Sequence, residues 1–376
     1  MSETLRSVLP PVYKDLLSPE LDKPAVIEKR ATCHDCEMCD KGTMPPGVEA
    51  VYFRPDTKCC TYHPSLANYL VGAILRDGSP EMEEGRRRIR ERIASRVGVL
   101  PLCVTAPAKY LLLYRASKGT AFGRSKALVC PYLTDEGRCS IWRHRESICS
   151  TFFCKYDAGQ DGVSFWKAFK GYVGHIEHTL AVWTKKAIAP DAKQPPDDNS
   201  ITLEDLEDLP PNDATYAAIW GSWAGREEEY YVACYNKVRN LSRQQFAKLV
   251  DETPEGRAAL SELRKRYAAL SLPVIPEKLA LNRKLRRLPV ANGVAVTATY
   301  NSYDSMVLEQ ELFDVLEKFS YDHTVTDVRK DLLEADGIEL ADELLVHLAR
   351  MGILVPPPSA DAVAAAEKSK KKKPKR

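Results

Sequence analysis

The sequence lacks the long apolar run that a membrane-spanning helix requires. Such a helix needs about 18 consecutive apolar residues, and the longest apolar stretches of this 376-residue chain are interrupted by Lys, Arg or Asp. The first 20 residues also lack the basic flank, apolar stretch and small-residue cleavage site of a secretory signal. We therefore expect a protein that does not cross a membrane and that resides in the cytoplasm.

Motifs of several common enzyme classes are absent as well. The sequence has no G-x-x-x-x-G-K-[ST] phosphate loop, and no G-x-G-x-x-G follows a strand pattern. It also has no G-x-S-x-G elbow. A nucleotide-binding fold of these types and an α/β-hydrolase are therefore not indicated.

The chain has little net charge, and the basic residues are unevenly distributed. There are 54 Lys and Arg against 52 Asp and Glu, a formal charge of +2, but seven of the 54 lie in the last nine residues. The rest of the chain then has 47 basic against 52 acidic residues, near −5. Because this body has no basic field that would attract polyanions, a nucleic-acid partner is not expected.

Changes of pattern along the chain predict its organisation. Apolar residues recur at three- and four-residue steps over 164–189, which predicts a long amphipathic helix, and a Pro- and Asp-rich linker follows. Short strand patterns from 288 precede helical patterns at 309–319, 325–335 and 340–351 and a closing apolar run, as in a winged helix. The predicted fold class is α+β, with these segments: an extended N-terminal lead-in (1–29), a cysteine-rich metal-binding domain (30–189), a linker (190–211), a mostly helical region (212–287), a small winged-helix-like unit (288–356) and a disordered Lys-rich tail (357–376).

Cysteine is concentrated in the first half of the chain. Ten of the eleven cysteines lie between Cys33 and Cys154, and only Cys234 follows. The odd number, the chain length and the expected reducing compartment argue against disulfides. Cys103 and Cys234 lie in apolar or aromatic surroundings, so we expect them to be buried as hydrophobic residues. Metal ligation is predicted for the other nine: Cys33, Cys36, Cys39, Cys59, Cys60, Cys130, Cys139, Cys149 and Cys154.

The spacing of the early cysteines favours ligation of a metal. Cys33, Cys36 and Cys39 form a C-x-x-C-x-x-C run, which lets thiolates turn towards one ion or cluster while nearby amides donate to sulfur. Cys59 and Cys60 are adjacent, and neighbouring cysteines pair as a disulfide only under strain. Nine thiols exceed one tetrahedral site. Two arrangements stay open: one cluster plus one ion, or a single centre with accessory thiols.

The later cysteines lie in segments that resemble a known family. The segments are Cys130-Pro131-Tyr132-Leu133, Gly137-Arg138-Cys139-Ser140-Ile141-Trp142 and Arg145-Glu146-Ser147-Ile148-Cys149. Together with the early run and the adjacent pair, they resemble the YkgJ-like CxxCxxCC cysteine-cluster family, which is described as zinc- or iron-chelating. The resemblance covers residues 30–160, and its specificity comes from the combination of both cysteine groups.

This chain departs from the family pattern at two places. Glu146 stands where the family commonly has Pro, and Ser150 stands where it commonly has Arg. Proteins similar to the family include a flagellin lysine methylase, so the resemblance implies modification of a protein or peptide as an activity. It carries over no catalytic residue, and the catalytic residues are unknown at this stage.

An iron–sulfur cluster is the preferred cofactor, with zinc as the alternative. Structural zinc usually has two C-x-x-C arms, whereas this chain has one arm prolonged by a third cysteine. His34 and His63 lie among the cysteines and are candidates for ligation or for supporting a ligand. His175 and His178, three residues apart on the predicted helix, are weaker candidates because no Glu-x-x-His motif accompanies them.

Two functions remain open from the sequence. One is a metalloenzyme that modifies a protein or peptide presented by the C-terminal unit. The other is a non-enzymatic interaction protein with structural zinc. A protein or peptide partner is favoured over DNA because the C-terminal helical patterns are rich in acidic residues: Glu309, Glu311, Asp314, Glu317, Asp327, Asp331, Glu334 and Asp336.

Overall fold

The computed structural model describes residues 4–23, 35–36, 38–40, 42, 52–193, 203–271, 274–297 and 305–358. The chain divides into two compact units. The first comprises Met1–Lys41, Tyr52–Cys154 and Ser164–Ala268, and the second comprises Gly42–Val51, Lys155–Val163 and Ala269–Arg376. Helices and short antiparallel strands occur together, so the predicted α+β class is confirmed. Among the described residues, no helix is both long and apolar enough to span a membrane.

The first unit is largely helical. Its only sheet within the described residues is the antiparallel pair β1–β2, in which Leu66 lies opposite Val104. Its elements are β1 (Leu66–Ala67), α1 (Asn68–Arg76), α2 (Glu83–Ser95), β2 (Cys103–Val104), α3 (Ala108–Ala116), α4 (Ser147–Ser150), α5 (Gly159–Ile188, in this unit from Ser164), α6 (Leu203–Leu206), α7 (Asp213–Trp220), α8 (Glu227–Arg239), α9 (Arg243–Phe246), a π-helical turn (Ala247–Asp251) and α10 (Pro254–Ser271, in this unit to Ala268). Short 3-10 helices span Leu5–Val8, Pro11–Tyr13, Pro19–Asp22, Pro80–Met82, Lys126–Leu128, Trp142–His144 and Gly221–Trp223.

The core of this unit forms around α1, α5 and α8. The predicted long helix is present as α5, and its apolar face, which includes Phe169, Val173 and Leu180, is fully buried. Helix α1 approaches α8 so closely at Gly72 that a Cβ there would lie 2.0 Å from the Tyr231 carbonyl oxygen. Buried Asn68 donates to the carbonyl of Ala181, which ties α1 to α5. This core supports the cysteine-bearing segments between the helices.

The described part of the predicted extended lead-in is not extended. Residues 4–23 contain three short 3-10 helices, two of which have Pro11 or Pro19 at their first position, where the missing N–H costs nothing. Leu5 and Tyr13 are buried, and the Tyr13 hydroxyl lies 2.6 Å from the Tyr69 hydroxyl on α1. The segment packs because its few apolar residues cover the core.

In the part of the second unit that the structure describes, two small antiparallel sheets occur with three complete helices. Strands β4 (Arg286–Val290), β5 (Gly293–Thr297) and β6 (Ser305–Glu309) form a three-stranded sheet with β5 at its centre, and β3 (Ala280–Leu281) pairs with β7 (Leu354–Val355). Helices α11 (Gln310–Glu317) and α13 (Asp342–Arg350) lie within predicted helical patterns, and α12 (Val325–Asp336) extends one residue beyond its predicted pattern. The core contains Val296, Phe313, Leu316, Leu332, Leu345 and Ile353.

Local signals in the sequence account for the ends of α12. Thr324 and Asp327 form a reciprocal capping box, which satisfies two of the unpaired amides at the helix start. Gly337 ends the helix with φ of 68°, the left-handed conformation that favours glycine. Two predicted segments fall largely beyond the described residues: most of the linker at 194–202 and the tail from 359 onward.

Candidate metal centre

Eight of the nine predicted ligands are described, and the structure brings them together in the first unit. They come from four stretches of chain, 36–39, 59–60, 130–139 and 149–154. Cys33 and His34 lie outside the described residues. We call Cys36, Cys39, Cys59 and Cys154 the first thiol set, and Cys60, Cys130, Cys139 and Cys149 the second thiol set.

Backbone hydrogen bonds join these stretches to one another. The Phe53 amide donates to the Met38 carbonyl at 2.7 Å, beside a parallel bridge between Cys39 and Phe53. The Cys130 amide donates to the Cys60 carbonyl, also at 2.7 Å. The convergence of the thiols is therefore built into the main chain rather than left to side-chain rotamers.

The loop that carries Cys59 and Cys60 is held in an unusual conformation. Lys58 has φ of 51°, a left-handed conformation that is uncommon for a residue with a side chain. Its ammonium group donates to the Gly137 carbonyl at 3.1 Å, which ties this loop to the segment carrying Cys139. Strained backbone of this kind is concentrated at functional sites.

Gly123 braces the same loop from the other side. Its carbonyl accepts hydrogen bonds from the Arg54 amide and the Thr57 hydroxyl, both at 2.9 Å, and its amide donates to the Thr61 hydroxyl at 2.6 Å. Thr57 and Thr61 are fully buried. These bonds enclose the adjacent cysteines within a short loop fixed at both ends.

Glu146 positions the segment that bears Cys149. Its carboxylate accepts from the Ile148 amide at 2.7 Å and from the Cys149 amide at 3.0 Å, so it caps the start of α4. Arg145 donates to the Cys149 carbonyl at 2.9 Å and lies over the Trp142 ring. The Glu146 position, which differs from the family pattern, thus has a clear structural role here.

Within the first thiol set, thiols donate hydrogen bonds to thiolates. The Cys154 thiol donates to the sulfurs of Cys36 and Cys59, and the Cys39 thiol also donates to Cys36. The bond from Cys154 is the main reason that the pKa of Cys36 is lowered to about 6 and that of Cys59 is lowered well below its ordinary value. Burial, followed by the charge of Cys36, raises the pKa of Cys39 to about 11.

Burial and neighbouring groups raise the pKa of three thiols in the second set, Cys60, Cys130 and Cys149. Burial raises the pKa of Cys130 to about 12 and raises that of Cys149 as well, with Glu146 adding to the second shift. The bond that Cys60 donates to Cys59 raises the pKa of the Cys60 thiol. Cys139 interacts electrostatically with Cys60, Cys130 and Cys149.

Backbone amides donate hydrogen bonds to sulfur in both sets. The Met38 amide donates to the Cys36 sulfur, and the Tyr132 and Leu133 amides donate to the Cys130 sulfur. Bonds of this type, two or three residues after the cysteine, stabilise negative charge on sulfur and tune metal–thiolate clusters. Their presence was expected from the spacing of the early run.

A cavity of about 400 Å³ borders the thiols. Cys59 and all four residues of the second thiol set contribute to its wall, and Arg145 and Glu146 lie at its polar side. The rest of the wall is mainly aromatic and apolar, and includes Tyr62, Tyr114, Phe122, Tyr132, Ile141, Trp142, Ile148 and Phe152. Its size falls in the range of small-molecule sites.

This cavity has no recognisable signature in the amino-acid sequence. Its aromatic residues come from separate segments, and none lies in a motif that marks a binding site. Burial of the Cys130 segment against Tyr62 and Tyr114 depends on long-range packing. The only available signal was the concentration of aromatic residues in the same stretch of chain as the cysteines.

The histidine candidates separate in the structure. His63 is buried between Tyr110 and Tyr132, and its Nδ1 lies 3.0 Å from the Pro64 carbonyl. Its Nε2 has no hydrogen-bond partner among the described residues. Burial lowers its pKa to about 4, so the ring is neutral near pH 7. His175 lies 3.3 Å from the Val250 carbonyl, whereas His178 is exposed. His175 and His178 therefore do not face a common site.

The two cysteines expected to be buried hydrophobic residues differ in exposure. Cys234 is fully buried on α8 beside Tyr230, whereas Cys103 on β2 is half-buried. Trp220, Tyr230 and Tyr231 pack edge to face in the core, so this aromatic group is structural. Neither cysteine has an interaction with either thiol set among the contacts described above.

The thiol sets are neighbours, but they are not in coordination geometry. Within the described ranges, no group of three or more His, Cys, Asp or Glu side chains has the geometry to hold a metal ion. The chemistry of the donors still suits a soft metal, because sulfur ligands select zinc, copper(I) and iron–sulfur clusters. Comparison of the chain with protein-family models, with curated proteins and with solved structures found no match.

Proposed function

We propose that this chain is a cytoplasmic metalloprotein of the YkgJ-like cysteine-cluster kind. The observation that carries the proposal is the convergence of eight thiols from four separate stretches of the first unit. Two of these thiols, Cys36 and Cys59, have lowered pKa values. Buried thiolates are costly unless a cation or hydrogen bonds compensate them, and a metal centre compensates them directly.

Metal binding requires the thiols to move closer than their described positions. Cysteine–metal sites rarely exist in final form without the metal, because binding and local ordering are coupled. The backbone bonds that join Met38 to Phe53 and Cys60 to Cys130 keep the sulfurs near one another before that step. Adjustment of side-chain rotamers and of the short turns then completes the ligand sets.

An iron–sulfur cluster is the preferred cofactor, and zinc is the alternative. Donors within the two sets are all thiols, and the amide-to-sulfur bonds at Cys36 and Cys130 are those that lower the cost of charge on a cluster. The group would supply redox or Lewis-acid chemistry when bound.

The cavity favours an enzyme over a purely structural protein. A structural zinc site is closed by four protein ligands, whereas a catalytic site keeps access for a substrate. Here the wall around the thiols is largely aromatic, with Tyr62 and Phe152 among its residues, and it leaves a space in which a ligand could reach the sulfurs. The catalytic residues of such an enzyme are not assigned.

We place the substrate among proteins or peptides, with the winged-helix-like second unit as the element that presents it. The exposed acidic residues of α11 and α12, such as Glu311, Asp331 and Glu334, disfavour a nucleic acid in that role. The six-element pattern β4-β5-β6-α11-α12-α13 followed by β7 is the basis for the winged-helix comparison.

Anaerobic purification followed by metal and acid-labile sulfide analysis tests the proposal. Stoichiometric iron with sulfide and a brown visible spectrum is expected, and a colourless protein with bound zinc would support the structural alternative. Cys36→Ser and Cys139→Ser should each lower metal content, whereas Cys103→Ser, a control at a half-buried thiol, should not. Native protein without any metal, after expression with iron and zinc supplied, would refute the proposed function.

A further inference from the structure

The contacts among the eight thiols form two groups, and the boundary between the groups lies between the adjacent residues Cys59 and Cys60. In the first thiol set, Cys154 donates to both Cys36 and Cys59, and Cys39 donates to Cys36. Electrostatic interaction also links Cys39 to Cys59. Each member of this set therefore interacts with at least one other member.

The second thiol set is connected in the same way. Cys130 and Cys139 interact with each other, and both interact with Cys60 and with Cys149. The two sets meet at the adjacent pair, where Cys60 donates to Cys59, and Cys59 also interacts with Cys130. Four thiols on each side is the number that one zinc ion or one cubane cluster takes from a protein.

From this division we infer that the protein holds two metal centres, with Cys59 as a ligand of the first and Cys60 as a ligand of the second. The inference rests on the proposed function, since it assigns the ligands of the metal that the function requires. One centre would use the first thiol set and the other the second thiol set.

Separate backbone hydrogen bonds connect each thiol set to the loop that carries Cys59 and Cys60. The first set is tied to the pair's loop by the Phe53 amide, which donates to Met38 next to Cys39. The second set is tied by the Cys130 amide, which donates to the Cys60 carbonyl.

The cavity distinguishes the two centres. All four thiols of the second set line it, whereas only Cys59 of the first set does so. A substrate in the cavity would therefore contact the second centre. The first centre, away from most of the cavity wall, would serve as a structural or electron-carrying group.

Metal counting in single variants tests this assignment. Native protein should contain two centres, either two zinc ions or two clusters. Cys36→Ser and Cys154→Ser should lose the first centre and keep about half of the metal, and Cys130→Ser and Cys149→Ser should lose the second and also keep about half. In the control Cys103→Ser, metal content should stay at the native level.

The metal content of native protein distinguishes a failure of the proposed function from a failure of the two-centre assignment. A native protein without metal refutes the proposed function, whereas a native protein with one centre refutes only the division. Folded variants of either set that lose all metal would also overturn the division. Circular dichroism establishes which variants fold.

Discussion

Gly123 offers a sharp test of how the cysteine loops are held together. It has φ of +73°, and a Cβ added there would lie 2.2 Å from the Phe53 ring. Phe53 is buried, and its amide bonds to Met38 between Cys36 and Cys39. Gly123→Ala should therefore push Phe53 and the early cysteines away from Cys59.

A matched variant separates this displacement from backbone strain. Gly119 lies in the same loop with φ of +83°, but a Cβ there would meet nothing within 4 Å. Both substitutions incur about 1–2 kcal/mol for alanine in a left-handed conformation. Only Gly123→Ala adds the overpacking cost of about 1–3 kcal/mol. If that cost acts on the arrangement of ligands, metal affinity should fall by about 5- to 150-fold relative to Gly119→Ala.

Competition with a chromophoric chelator measures the affinity, and thermal unfolding measures the stability. The apparent Tm of Gly123→Ala should lie below that of Gly119→Ala by roughly 2–4 °C for each kcal/mol of difference. Equal metal affinity in the two variants would refute the argument that the Phe53–Met38 contact positions the first thiol set. A loss of affinity in Gly119→Ala as large as in Gly123→Ala would refute it as well.

Three further predictions concern buried or closely packed groups other than the thiols. Burial, reinforced by a neighbouring carboxylate, raises the pKa of Glu177 in the folded state. The stability that Glu177 contributes is therefore complete below its unfolded pKa and is lost as the pH rises towards its folded pKa. Between pH 5 and 8 the Tm of Glu177→Gln should rise relative to that of native protein, and a Tm difference that does not change with pH would contradict this. The Tyr172 hydroxyl donates to buried Asp251 at 2.8 Å. Tyr172→Phe should therefore lower the free energy of unfolding, measured by chemical denaturation, by about 1–3 kcal/mol. An unchanged denaturation midpoint would show that this hydrogen bond does not stabilise the fold. A Cβ at Gly293 would lie 2.0 Å from a carbonyl oxygen of the paired strand β6, whereas a Cβ at Gly337 would have no described atom within 4 Å. Gly293→Ala should therefore destabilise the second unit by more than Gly337→Ala. Equal Tm values for the two variants would contradict the register of β5 against β6.

The parts of the fold that could be predicted are those with a clear periodicity. The long helix was predicted over 164–189 and is present as α5 at Gly159–Ile188, with an earlier start because its first turn contains few apolar residues to extend the pattern. The three C-terminal helices were predicted from similar patterns, whereas the caps of α12 at Thr324 and Gly337 were recognised only in the structure. The compact N-terminal segment was missed because helices of three or four residues are too short for periodicity to detect.

The candidate site was predictable in composition but not in arrangement. Residue type and spacing marked Cys36, Cys39, Cys130 and the others as candidates, since thiols at these spacings are typical of metal sites. Which thiols are neighbours depends on tertiary contacts, such as the bond from Cys130 to the Cys60 carbonyl, across 70 residues of chain. The aromatic cavity and the brace at Gly123 arise from the same long-range packing.

The hydrogen bond that the Cys154 thiol donates to the Cys36 sulfur has a consequence for biosynthesis. About 120 residues separate the two cysteines, and a ribosome that adds about 5–20 residues per second needs roughly 6–24 s to cover that distance. During this interval the earliest thiols have emerged without their last partner. Under the proposed assignment, a metal can complete the first set only after the nascent chain has passed Cys154, and the early thiols lack that ligand until then.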